Sequence, residues 1–176
     1  MQLQELTQDG YQYWQSIYLA AFPPYERIDF DDLIRIAQAN QMIKLNTLIE
    51  DEQPVGIVLN IELDHQKSFI LYFAIDESKR SGGLGSKALN ALKSTYPGGI
   101  ILESELTGSD APNEEQRTRR YRFYQKNGLI DTKYVTENLG GTFHLLASTS
   151  EITVADYEMA SSQIGIETHV VDTQID

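Results

Sequence analysis

Apolar positions recur along the chain at two spacings. Between Tyr11 and Ala21 the set Tyr11, Trp14, Ile17, Tyr18 and Ala21 repeats every three or four residues, the period of one helix face. Asp9 stands where it could cap that helix, and Phe22, Pro23 and Pro24 end it. A second helix is predicted from a cap at Asp29 or Asp31 to Gln41, with Leu33, Ile34, Ile36 and Ala37 inward. Strands are predicted at 2–7, 42–50, 55–63 and 68–75, with turns at 51–54 and 64–67 joining the last three. Helical spacing returns at Leu84, Ala88, Leu89, Ala91, Leu92 and Tyr96, until Pro97, Gly98 and Gly99 break it. There follow a strand from Ile100 to Leu106, a polar loop, and a charged helix from Glu114 to Asn127 closed by Gly128. Two strands, 129–136 and 142–148, flank a turn at 138–141, and 153–164 can form a last helix. From Gly165 onward no period is evident.

This order constrains topology. Strands joined by short turns pair antiparallel, and strands joined through a helix pair parallel. The expected class is α/β (α+β), with a mixed, mostly antiparallel sheet of about seven strands and helices on both faces. With no repeat, low-complexity tract or linker, one domain is expected over 1–176, its core at 3–148 and a C-terminal extension at 149–176.

Length and composition narrow the function. A chain of 176 residues can bury a sizeable core. The net charge of −12, from 14 basic and 26 acidic residues, opposes nucleic-acid phosphates and an anionic membrane surface. The chain has no cysteine, which excludes disulfides, thiolate zinc sites and a cysteine nucleophile. His65, His144 and His169 lack metal-ligand spacing, so no metal is expected. The N-terminus has no secretory pattern and no apolar run reaches the length of a membrane span, so a cytoplasmic protein is expected.

The stretch Arg80-Ser81-Gly82-Gly83-Leu84-Gly85 lies between a predicted strand and a predicted helix. The first N–H groups of a helix have no intrahelical partner, the helix dipole adds positive potential there, and glycine permits close approach. An anion such as a pyrophosphate fits such a place. Gly83, Gly85 and Ala88 also match the G-x-G-x-x-A dinucleotide fingerprint, with Glu103 at the distance of a ribose-binding acid. That would make the protein a small NAD(P)-binding oxidoreductase. Against it stand the hairpin strands that precede the loop, the polar insert 76–81, and the lack of a second βαβ half.

One helix and one strand further on come Phe123, Tyr124, Gly128 and Leu129. Together the two stretches resemble the GCN5-related N-acetyltransferase (GNAT) superfamily. Its phosphate loop reads R/Q-x-x-G-x-G/A, matched by Arg80, Gly83 and Gly85, and its late helix reads F-Y-x-x-x-G-F, with Leu129 here in the last place. The resemblance spans about residues 3–148. It implies an acyl-CoA N-acyltransferase fold, acetyl-CoA as donor, and a small-molecule or peptide amine as acceptor. It places the pyrophosphate on Gly82, Gly83, Leu84, Gly85 and Ser86 with Arg80 adjoining. It sets the pantetheine arm along the backbone of Phe73, Ala74 and Ile75, and makes Tyr124 the acid that protonates the leaving thiolate. Two departures stand out: Arg117 occupies a position where many members have Asn, and Phe69 one where some have a catalytic Glu.

Direct acyl transfer needs a base for the ammonium proton and an N–H donor for the carbonyl oxygen, the latter expected near Ala74 or Ile75. Glu103 and Glu105 share one face of an apolar strand. They are candidate bases, or ion-pair partners for Arg119, Arg120 or Arg122, and a water relay is a third option. Glu26, between the first two helices, can contact the amine or sit in a salt-bridged loop; Tyr124 can be acid or core. The resulting expectation is an acetyl-CoA-dependent N-acetyltransferase working by direct attack in a ternary complex. The alternative within the same fold is a non-catalytic acyl-CoA-binding module. The region after Ser150 can complete a homodimer or cap the sheet.

Overall fold

In the computed structural model, which describes residues 1–79 and 82–174, the hairpins close as their turns demand. The strands are β1 (Gln2–Glu5), β2 (Ile43–Glu50), β3 (Gln53–Leu63), β4 (Lys67–Ile75), β5 (Gly99–Glu105), β6 (Ile130–Asn138), β7 (Gly141–Ala147) and β8 (His169–Asp172). They form one sheet in the order β1-β2-β3-β4-β5-β7-β6-β8. Among the described strands only β4 and β5 run parallel, as expected for a pair joined through a helix. This is the mixed sheet read from the sequence, with eight strands where about seven were expected. The extra one is β8, which carries only Val170 and Val171 as apolar residues. It becomes a strand by pairing antiparallel with Tyr134 to Glu137 of β6, a partner its own four residues do not announce.

The helices are α1 (Tyr11–Ala21), α2 (Phe30–Ala39), α3 (Leu84–Thr95), α4 (Glu114–Lys126) and α5 (Val154–Gln163). Asp9 does not cap α1: it sits inside a 3-10 turn, Gln8–Gly10, and Gly10 takes the cap position. Asp29 caps α2, its Oδ1 accepting the N–H of Asp31 at 3.0 Å and of Asp32 at 3.3 Å. Helix α5 opens on a reciprocal box. Thr153 Oγ1 accepts the Asp156 N–H, and Asp156 Oδ2 accepts the Thr153 N–H. Lys67 Nζ lies 3.0 Å from Asp156 Oδ2, tying the helix to the start of β4.

Two apolar layers result. One face of the sheet carries α1, α2 and α5 over Ile57, Leu59, Ile61 and Phe69, with Trp14, Tyr18, Leu33 and Tyr157 filling the layer. The other carries α3 and α4 over Val58, Ile70, Ile100, Leu102 and Leu146, with Leu89, Leu92 and Tyr124 filling it.

The register of β4 positions the site. Its parallel pairing with β5 covers Lys67 to Ile70 against Gly99 to Leu102 and stops. There the β3 register also slips: Leu59 opposes Tyr72 while Asn60 opposes Ile70, leaving Leu71 as an extra residue. Leu71 and Tyr72 therefore both turn to the α1/α2/α5 layer, and Phe73 to the α3/α4 layer. Such a bulge bends its strand, and beyond it β4 parts from β5.

The segment after Ser150 caps the sheet: Ile152, Tyr157, Ala160, Ile164 and Ile166 are all buried in the first layer. Burying a side chain of this kind contributes about 1.5–3 kcal/mol. Removal of residues 151–176 is expected to abolish a cooperative thermal transition and raise binding of an apolar dye; a truncated chain that melts like the full one would show that α5 is dispensable.

Candidate active site

Where β4 and β5 separate, a cavity of about 560 Å³ opens through the sheet. Its walls come from both layers: Gly82 to Gly85, Phe123 and Tyr124 on the α3/α4 side, and Phe22, Glu26, Tyr72 and Glu103 on the α1/α2/α5 side.

Backbone groups line the gap. The Asp76 N–H bonds the Val55 carbonyl at 2.9 Å. In an antiparallel pair, bonded positions alternate. Ala74 opposite Ile57 is therefore the next bonded pair, which leaves the N–H and C=O of Phe73 and Ile75 directed toward the gap. Of the three positions read from the sequence, Phe73 and Ile75 offer their backbone there, and Ala74 spends its own on β3.

At one end of the cavity lies the glycine loop. Gly82 and Gly83 hold φ of +65° and +71°, a conformation in which a side chain costs about 1–2 kcal/mol. A Cβ at either would meet nothing within 4 Å, so the loop faces open space. Gly83 is the N-cap of α3. The Lys87 N–H bonds the Gly83 carbonyl at 3.0 Å, so the N–H groups of Leu84, Gly85 and Ser86 precede the first helical bond and face outward. Arg80, and Ser81 beside it, lie outside the described residues. Gly85 has another reason to be glycine: a Cβ there would stand 2.9 Å from Cζ of Phe123. The two sequence motifs are thus in contact, the ring of the second closing over the glycine of the first.

Tyr124, on the next position of α4, is 7% exposed and lines the cavity. Burial pushes its phenol up and the Arg120 charge partly offsets this, so it is protonated at neutral pH.

The carboxylates meet at the other end. Glu105 is held by Arg120 Nη1 at 2.8 Å and Arg117 Nε at 3.3 Å, and Asn113 Nδ2 lies 3.3 Å from its Oε1. Of the three arginines suggested as partners by sequence, Arg120 makes the pair, whereas Arg119 turns outward to Glu115. Arg117, the departure from the family pattern, is the second partner. Glu103 has no cation. Its Oε1 accepts Asn138 Nδ2 at 2.7 Å and the Tyr157 hydroxyl at very short range. Burial pushes Glu103 up to about 7; the hydrogen bonds from Tyr157 and Asn138 pull down, and the charge of Glu26 pushes up. Glu26 is itself raised by burial and by Glu105, against the pull of Arg120. No described residue donates to Oε2 of Glu103. The arrangement can hold a cation or take up a proton at neutral pH. None of the described acidic and histidine side chains groups in a way that could hold a metal ion, and no described helix is long and apolar enough to cross a membrane.

Tyr157 and Asn138 were not singled out by sequence. Tyr157 keeps helical spacing with Ala160 and Ile164, which reads as core, and Asn138 reads as a turn residue. Neither pattern carries a sign that both side chains converge on Glu103.

No family model matches the chain, and no curated protein matches it. Solved structures do. A protein from Bacteroides thetaiotaomicron assigned to the GNAT family of acetyltransferases superposes with a TM-score of 0.75, over 93% of this chain and 96% of that one, at 23% identity. The fold is that of the GNAT acetyltransferases. The GNAT spermidine N-acetyltransferase of Vibrio cholerae matches at TM-score 0.61 and 12% identity, covering 88% of this chain and 97% of its own. Arabidopsis thaliana Naa50, in complex with the bisubstrate analogue CoA-Ac-MVNAL, matches at 0.58 and 16%, covering 84% and 97%. The doubly wound sheet of a dinucleotide-binding GxGxxA protein is not what these strands form.

The Gly85–Phe123 contact is open to a double-mutant cycle. Gly85→Ala alone is expected to lower stability by about 1–2 kcal/mol through overpacking, and Phe123→Leu in the same chain to recover part of that loss. Additive effects in chemical denaturation would mean the ring and the glycine are not coupled.

Proposed function

We propose that the protein transfers the acetyl group of acetyl-CoA to a primary amine by direct attack in a ternary complex. The observation that carries this reading is the passage between β4 and β5, with open helix N–H groups at one end and a cation-free buried carboxylate, Glu103, at the other. The residues fit the donor. A cradle with nothing within 4 Å of Gly82 and Gly83 admits a pyrophosphate, with Leu84, Gly85 and Ser86 as N–H donors and Arg80 adjoining. The unpaired backbone of Phe73 and Ile75 admits an extended amide-bearing arm, which can add like a strand. When bound, acetyl-CoA supplies an activated thioester carbonyl.

The chain's own groups do the rest. The cavity holds the two reactants together, which supplies much of the rate of a two-substrate reaction. Glu103 takes a proton from the ammonium through Oε2, while Tyr157 and Asn138 fix Oε1 and keep the carboxylate oriented. The Ile75 N–H polarises the carbonyl oxygen. As the C–N bond forms and the C–S bond breaks, Tyr124 holds a proton for the departing thiolate. Glu105, neutralised by Arg117 and Arg120, shapes the wall and is not the base in this scheme. Glu26 faces the incoming amine.

Calorimetric titration with acetyl-CoA tests the donor site, with NADH and NADPH as controls. Saturable binding of acetyl-CoA alone, lost in Gly83→Asp, is expected; binding of the nicotinamide cofactors alone would overturn the reading. Acetyl-CoA binding with no turnover of any amine would assign the fold to a binding module.

The raised Glu103 sets the pH dependence. The base is active when ionised, so kcat/KM should fall below about pH 7. Tyr157→Phe removes a bond that favours the carboxylate, so this limb should move to higher pH; an unmoved limb would remove Glu103 from the proton path. Folding responds with the opposite sense. A carboxyl whose folded value exceeds its unfolded one contributes stability below about pH 4.5 that is lost as pH rises through about 7. Glu103→Gln should therefore lose less thermal stability than the wild type between pH 5 and 8, the difference bounded by about 3 kcal/mol.

A further inference from the structure

Within the acetyltransferase reading, the acceptor end of the cavity has a charge count and a wall chemistry that narrow the amine. Glu26, Glu103 and Glu105 face Arg117 and Arg120 there. Three carboxylates against two guanidiniums leave one net negative charge, enough for one ammonium. A second or third ammonium on the same acceptor would enter the walls without a carboxylate of its own, and an unpaired buried charge is strongly unfavourable.

The polar groups of the walls are already engaged. The Tyr72 hydroxyl donates to the Glu26 carbonyl at 2.7 Å. The Asn138 amide donates to Glu103 at 2.7 Å and lies 3.1 Å from the Tyr157 oxygen. A ring bearing several hydroxyls would lose its water without gaining partners, at a cost of about 1–3 kcal/mol for each group left unpaired. What remains free is apolar surface. Phe22 and Phe143 line the cavity beside Tyr72, and the Phe22 and Tyr72 rings meet edge-on at 4.9 Å. At the rim, Leu139 of the β6–β7 turn is 40% exposed, and Tyr25, next to Glu26, is 60% exposed. A cation beside the faces of these rings also gains attraction from their π systems.

We infer that the acceptor is a small primary monoamine on an apolar body, an arylalkyl or branched-alkyl amine, whose ammonium sits between Glu26 and Glu103 and whose body lies against Phe22, Phe143 and Leu139. The inference rests on the acetyltransferase reading and separates this site from the polyamine acceptor named for one of its structural neighbours.

Steady-state assays on the full chain at saturating acetyl-CoA test it, with phenethylamine and isoamylamine against spermidine, kanamycin and an unblocked pentapeptide. The monoamines should be preferred in kcat/KM by about tenfold or more, the range one apolar pocket contact or one unpaired group provides. Glu26→Gln should raise KM for phenethylamine with a smaller change in kcat. Leu139→Glu, which adds a second carboxylate at the rim, should shift the spermidine-to-phenethylamine ratio of kcat/KM toward spermidine by several-fold, a change that general destabilisation would not produce. Faster turnover of spermidine, kanamycin or the peptide than of either monoamine would overturn the inference while leaving the acetyltransferase reading in place. Acetyl-CoA binding without turnover of any amine would overturn both.

Discussion

Everything that distinguishes this sheet follows from one interruption in its hydrogen bonding. The parallel ladder between β4 and β5 ends at Ile70 and Leu102, and the extra residue at Leu71 slips the β3 register at the same level. A buried backbone group without a partner is unfavourable, so a sheet that opens in its middle creates a standing demand for another hydrogen-bonding strand. The cost falls at one place because β4 keeps its other edge fully paired to β3 as far as Ile75. The bulge also shifts the alternation of side chains. Tyr72 and Phe73 thereby face opposite layers at the point where the cavity connects those layers.

The two halves of that cavity are secured differently. On the α3/α4 side the loop is set by backbone conformation, with two consecutive glycines at positive φ, and by the fit of the Phe123 ring over Gly85. Neither device depends on charge, so the cradle keeps its electropositive N–H groups free. On the other side the geometry is set by hydrogen bonds that originate far away in sequence. Tyr157 reaches Glu103 across 54 positions and Asn138 across 35. Helix α5 is itself held by the capping box and by Lys67. What looks from sequence like an extension beyond a finished core is therefore a wall of the site.

This division explains how much could be read from the chain alone. The glycine loop, the α4 aromatic pair and the hairpin order are local features, written within a few residues of one another, and all were legible. The shared face of Glu103 and Glu105 was legible too, because alternation along a strand is local. The partners of those acids were not. Arg117 and Arg120 are separated by less than one helical turn from the outward-facing Arg119, and which of them reaches β5 depends on the rotation of α4 over the sheet. Tyr157 and β8 were opaque for a related reason: a buried tyrosine on a helix and a four-residue edge strand take their roles from partners supplied by tertiary structure. Asp9 misled because a 3-10 turn placed the start of α1 beyond its reach.

Glu103 and Glu105 show how far environment outweighs residue type. They lie on one strand, on one face, in one cavity. Glu105 is met by two guanidiniums and an amide, and such a pair keeps a carboxylate ionised but spends its lone pairs. Glu103 is met by a phenol and an amide on a single oxygen. Neutral donors compensate burial only in part, which is why its proton equilibrium is lifted toward neutrality while one oxygen stays available. Introducing an arginine beside Glu103 would ionise it fully and remove that property. The absence of a cation at Glu103 among the described residues is thus as much a part of the site's chemistry as the carboxylate itself.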